Sequence, residues 1–245
     1  MMRAKGPETQ DESIVEKIKI NKLGQTLGRK GSKTRQGLIE AASRLLASLP
    51  PAEFTALAIA KEANTAPTTF YVYFNDVKDI LYEVCALAEK DLAKLDESLA
   101  QLWDRKDPVS FARMIVETYH AIWDKNRAIY NFRNTQGDHG NQRFFDLRLK
   151  AALPIQEGLC TLILASYPPA QRPRRGLAYA EAIVLHAAIE RMAAMDPALL
   201  ESGLGVKRLK EAEIRILARA IAPHDANDVL SMAESTARSK DPRRS

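Results

Sequence analysis

The sequence predicts an all-α protein in two parts, a short three-helix corner near the N-terminus and a larger helical domain behind it. Three observations carry this. From Lys33 onward apolar residues recur at three- and four-residue intervals, the periodic runs are punctuated by proline, glycine and Asn/Asp/Thr caps, and no run alternates apolar with polar residues as a half-buried strand would. The 245 residues suffice to bury a sizeable core. A composition of 46% hydrophobic and 27% charged residues, without an unbroken apolar stretch of bilayer length, argues against a membrane protein. Cys85 and Cys160 each lie among apolar residues, as buried thiols in a reducing compartment do, and the N-terminus lacks the apolar core of a secretory signal. A cytoplasmic location is the expectation.

The elements follow in order. Residues 1–30 read as a flexible basic arm: the first 35 residues hold nine Lys/Arg against four acids, which accounts for the whole net charge of +5. Within Gly28 to Arg35 the cations Arg29, Lys30, Lys33 and Arg35 stand without an acid, which suits phosphate contact; a merely solvated tail is the alternative. From Lys33 to Leu49 the residues Leu38, Ala42, Leu45 and Leu49 form one helical stripe, stopped by Pro50-Pro51. Thr55 can cap a second helix over about 56–63, with Phe54 stapled to Ile59. Asn64, which tolerates left-handed geometry, breaks that helix, and Pro67 suits the first turn of a third one reaching about Phe74.

Two short helices separated by a tight turn have the spacing of a helix-turn-helix, whose second helix enters the major groove. Residues 31–76 are therefore read as a double-stranded DNA-binding domain. Thr55, Thr68, Thr69, Tyr71 and Tyr73 can hydrogen-bond to phosphates or bases, while Pro67, Thr68 and Val72 can touch thymine methyls. Phe70 and Phe74, four residues apart, are expected in the core.

The segment KTRQGLIEAASRLLAS, then FTALAIAKEANTAPTTFYVYF, then NDVKDIL (residues 33 to 81) resembles the DNA-binding domain of the tetracycline repressor (TetR) family. Ala60-x-x-Ala63, Tyr71-x-Tyr73-Phe74 and Ile80-Leu81 carry the likeness. It departs at Asn64, where the family usually has glycine, at Ala66, where a capping serine is common, and at Val77, where the family often has a phosphate-contacting lysine and Lys78 follows. The resemblance implies a ligand-responsive regulator, a repressor working as a homodimer, with a C-terminal domain that diverges with its effector.

That domain, residues 77–223, is expected to bind effector and to dimerise. Periodic runs predict helices over 77–103, 109–124 (capped by Asp107-Pro108), 127–134, 143–166, 175–194 and 206–221, with a polar loop over 135–141 and a polar tail over 224–245. Aromatic and polar side chains gather between residues 102 and 145. Trp103, Phe111, Met114, Tyr119, His120, Trp123, Arg133 and Phe144 are read as the lining of a small-molecule pocket, with ordinary core packing as the alternative for each. The alanine-rich helices near 175–194 and 206–221 are read as the dimer face.

His120, His139, His186 and His224 lack ligand-like spacing, and no phosphate loop, nucleophile elbow or catalytic cysteine context occurs, so neither a metal, a cofactor nor an enzyme is expected. The competing readings are a DNA-binding regulator or architectural protein without an effector, and a helical enzyme or adaptor sharing only the three-helix corner.

Overall fold

The computed structural model describes residues 26–50, 53–101 and 107–224. The arm's first 25 residues, Trp103 and all of the tail after His224 lie outside them. The chain divides into two compact units meeting in sequence between Ala88 and Glu89.

In the N-terminal unit, α1 spans Arg29–Ser48, α2 Ala56–Glu62 and α3 Pro67–Tyr73, and α4 starts at Val77 and runs to Gln101, into the second unit's sequence. The first helix begins four residues earlier than its apolar stripe suggests. Arg29, Lys30 and Lys33 thus ride on helical turns rather than on a flexible arm, because intrahelical bonding needs no apolar face once a buried segment follows. Leu38, Ile59, Phe70 and Ile80 are fully buried and hold the four helices together. Thr55 Oγ1 accepts from the Ala58 amide as the cap of α2. Asn64 adopts φ 53°, the left-handed geometry that turns the chain between α2 and α3. Ala66 makes no side-chain cap; α3 starts instead with Pro67 at its first turn, where a missing amide hydrogen costs nothing. Asp76 caps α4 through the Asp79 amide at 2.8 Å.

In the second unit, α5 spans Pro108–Asp138, α6 Gln142–Ser166, α7 Arg175–Ala194, α8 Pro197–Glu201 and α9 Val206–Ile221, with a 3-10 turn at Pro169–Gln171. The two helices expected at 109–124 and 127–134 form one, kinked at Asn126 (φ −118°, ψ 15°). Asn126 Nδ2 donates to the Ile122 carbonyl and to Asp91 on α4, so the kink is bonded rather than frayed and the helix resumes beyond it. The polar loop shrinks accordingly to residues 139–141. Asp107 caps α5 through the Ser110 amide.

The core of this unit joins Ile115, Trp123 and Tyr130 of α5 to Leu159 and Ile163 of α6 and to Leu217 and Ile221 of α9. Ala178, Ala182 and Ala193 let α7 approach α6 closely, the most extensive helix pair among the described residues. On α9, Ile214, Leu217, Ala218 and Ile221 pack within the subunit, while Ala212 and Ile216 of the stripe expected at a dimer face lie outside. On α7, Leu177, Ile183 and Val184 face solvent, as do Phe145, Leu149 and Leu153 of α6. Among the described residues no helix is long and apolar enough to cross a membrane.

Candidate functional site

The first site is the outer face of the N-terminal unit. On α3, Phe70 and Phe74 are buried and lie 5.6 Å apart between ring centroids, which fixes the helix by its inner face. The opposite face presents Pro67, Thr68, Tyr71 and Val72 to solvent, with Thr69 and Tyr73 half-buried at its edges. Tyr71 and Val72 are half exposed, at 50% and 49%, an apolar exposure that packing alone does not explain on so short a helix. The Tyr73 hydroxyl stands close to Gly31 in the first turn of α1, so the basic turn carrying Arg29, Lys30 and Lys33 and the end of α3 adjoin. Thr55 and Lys78, at the starts of α2 and α4, are exposed.

Arg35 does not join this surface. Its side chain is buried, its guanidinium sits 5.1 Å over the Phe74 ring, and Nη2 lies 3.5 Å from Glu83 on α4. The sequence placed it among free cations because its partner is 48 positions away; it is a bolt between α1 and α4 rather than a phosphate contact.

The second site lies among α5, α6 and α7 and differs from the lining expected. Phe111 and Trp123 are core residues, Met114 is half-buried, and Phe144 is buried edge-to-face against Phe132. His120 is buried too, its Nε2 2.8 Å from Glu213 on α9. None of these five lines the three cavities of this unit described next. Tyr119 and Arg133 do reach a narrow cleft, which also touches Arg148, His186 and Glu190. Two larger cavities adjoin it. One, of about 290 Å³, is polar, with Asn131, Asn134, Asp138, Arg148, Glu190 and Arg191 in its wall. The other, of about 170 Å³, is mostly apolar, with Phe145, Leu149, Ile183 and Gln156. Arg148, Ala187 and Glu190 belong to both walls.

Buried charge converges there. Arg133, 1% exposed, donates from Nη1 to Glu89 on α4, from Nη2 to Glu190 on α7 at 3.2 Å and from Nε to Asn134 at 2.9 Å. Burial works against its charge, and the Glu89 and Glu190 carboxylates overcome that, raising its pKa above the usual value. Glu190 also accepts from Arg148 at 2.8 Å and Asn134 at 3.3 Å. Burial opposes its ionisation, but these arginines hold its carboxyl below the ordinary range. His186 lies between the Tyr119 hydroxyl (3.1 Å) and Gln156 (3.4 Å). Burial pushes its pKa down against the opposing pull of Glu190, disfavouring the charged imidazolium. Among the described residues no three His, Cys, Asp or Glu gather as metal ligands would.

Residues 38–84 match the family described as bacterial regulatory proteins, tetR family. No match is found among curated proteins. Solved structures share the fold along most of the chain. The fatty acid degradation regulator FadR from Bacillus halodurans is 13% identical with a TM-score of 0.59, covering 79% of this chain and 97% of its own. FadR from Bacillus subtilis, in complex with stearoyl-CoA, is 14% identical with a TM-score of 0.56, covering 76% and 98%. FadR from Thermus thermophilus, a repressor in complex with lauroyl-CoA, is 20% identical with a TM-score of 0.50, covering 78% and 97%. The helix-turn-helix, matched as a sequence and seen as a structure, makes this chain a DNA-binding transcriptional regulator. Its N-terminal unit carries a DNA-binding domain of the tetR family.

Proposed function

We propose that the chain is a homodimeric, ligand-responsive repressor that leaves a palindromic operator when a small amphipathic effector binds the second unit. The observation that carries this reading is the cavity pair on α5, α6 and α7, apolar at one end and polar at the other, in a chain that also presents an exposed recognition face. The acyl-CoA bound in two of the FadR structures favours a fatty acyl compound as the effector class.

In this reading Thr68, Thr69, Tyr71, Val72 and Tyr73, with Pro67, enter the major groove. Arg29, Lys30, Lys33, Thr55 and Lys78 hold the flanking phosphates. Leu177 and Val184 of α7, with Ala212 and Ile216 of α9, meet a second copy across a two-fold axis. The effector acts by favouring a dimer with wrongly spaced recognition helices, which requires differential affinity for two arrangements.

The test uses full-length protein and a duplex selected by it from random DNA. Thr69→Ala and Tyr71→Ala should each weaken binding about tenfold, the worth of one good base or phosphate contact, with melting temperature unchanged. Wild-type affinity in both variants would remove α3 as the reading head. Release of the duplex by lauroyl-CoA, and not by coenzyme A alone, tests the effector half of the proposal.

A further inference from the structure

We propose that the effector's head group is an anion, and that a buried ion relay, Arg148–Glu190–Arg133–Glu89, carries its arrival from the cavity to α4. The inference rests on the ligand-responsive reading and adds to it the charge of the ligand and the residues that transmit it.

The sign of the head group follows from which charges at the polar cavity are already paired. Four ionised groups face it: Arg148, Arg191, Asp138 and Glu190. Glu190 already accepts from three donors, Arg133, Asn134 and Arg148. Asp138, largely solvated, has Arg148 at 3.3 Å. Arg191 makes no hydrogen bond or ion pair among the described residues. The spare capacity is therefore cationic and suits a carboxylate or phosphate. The tail has a place to go, because Arg148 also borders the apolar cavity of Phe145, Leu149 and Ile183.

The relay follows from who shares whom. Arg148 is one-third exposed and is the only arginine of the chain of pairs that an entering anion can reach. An anion held by Arg148 and Arg191 competes with Glu190 for Arg148. Glu190 holds only two cations, Arg148 and Arg133, so as it loses the first it leans on the second. Arg133 divides its guanidinium between Glu190 on α7 and Glu89 on α4, and a closer grip on one loosens the other. Packed charged networks of this kind shift between discrete arrangements rather than bending gradually. The far end of the relay, Glu89, is on the helix that continues in sequence from the helix-turn-helix.

The test compares dodecanoate, lauroyl-CoA and dodecyltrimethylammonium on the full chain, reading ligand affinity by calorimetry and DNA affinity with and without ligand on the selected duplex. Both anions should bind and lower DNA affinity, distinguishing a carboxylate from a phosphate-bearing head by which binds tighter, and the cation should do neither. Arg191→Ala should weaken the anions about tenfold, the worth of one charge-assisted contact. Glu89→Gln should bind them as wild type does, yet bring the ratio of the two DNA affinities close to one; Glu89→Asp, which keeps the charge but withdraws it by a methylene, should do the same and guards against a folding defect in the first variant. By linkage, ligand affinity in these variants becomes indifferent to bound DNA. Binding of the cation in preference to the anions overturns the head-group assignment. A full wild-type ratio in both Glu89 variants overturns the relay while leaving the effector reading standing, and failure of all three compounds to bind wild-type protein removes that reading itself.

Discussion

Replacing Arg133 by methionine tests whether the buried network is worth what its geometry implies. The substitution keeps most of the side-chain volume and removes one charge from a site that is 1% exposed. Its two carboxylate partners then differ in fate. Glu190 retains Arg148 and Asn134, whereas Glu89, whose side chain is 12% exposed, keeps no cation and no partner for Oε2 among the described residues. An uncompensated buried charge of this kind costs about 3–5 kcal/mol. The Glu89 carboxyl is then pushed upward by burial without Arg133 to oppose it, so the folded state binds a proton more readily than the unfolded one. The stability it contributes is present at low pH and lost as pH rises through its folded value, hence the deficit shrinks on acidification. Urea unfolding followed by tryptophan emission is the assay, since Trp123 is in the core of this unit. The double variant Arg133→Met with Glu89→Leu removes the stranded charge and should recover most of the loss. A single variant costing under about 1 kcal/mol, or a double variant no better than the single, would overturn this account of the network.

Alanine at Arg29, Lys30 and Lys33 should flatten the plot of log DNA affinity against log salt by about 0.9 for each phosphate no longer neutralised. Arg35→Ala should leave that slope alone and lower the melting temperature instead, as the removal of a buried pair with Glu83 requires. Because burial depresses the His186 pKa below its ordinary value of 6.5, the folded protein binds fewer protons than the unfolded one, and stability present above that pH is lost as pH falls below it. His186→Gln should remove that part of the slope in melts recorded on either side of 6.5. At the turn, Asn64→Ala should cost about 1–2 kcal/mol at its positive φ while Asn64→Gly is neutral, read by unfolding of the N-terminal unit.

What the sequence disclosed was local. Thr55, Pro67 and Asp107 act within three residues of themselves, so spacing suffices to assign them. Long-range partners were invisible. Asn126 looks like a helix break until Asp91, 35 positions away, is seen to hold its side chain, with Arg127 donating to the Ala193 and Met195 carbonyls at the end of α7. The polar residues of the cavities were hidden for the same reason. The aromatic residues Phe111 and Trp123 are in the core, while His186 and Glu190, at the cavities, lie on a helix whose alanines read as a dimer face. Their partners Tyr119 and Arg133 stand 67 and 57 positions upstream. A Glu four residues after a His on an alanine-rich helix is the one local hint, and that spacing puts both on one side of it.

The two surfaces proposed to meet DNA and effector are built from polar groups of opposite character. On α3, Thr68 and Tyr71 stay exposed, so they cost the fold little and each can change without endangering it. Around Arg133 the charges are dry, and a well-packed apolar substitute would hold α4, α5 and α7 together at least as firmly. A network that apolar residues could replace without loss of stability is therefore explained by what they could not do. Leucines at these positions would fix one arrangement, whereas an arginine shared between two carboxylates can be pulled toward either by a third charge at the cavity wall. That sensitivity to an arriving ion is the property a ligand-responsive regulator needs at the root of the helix leading to its reading head.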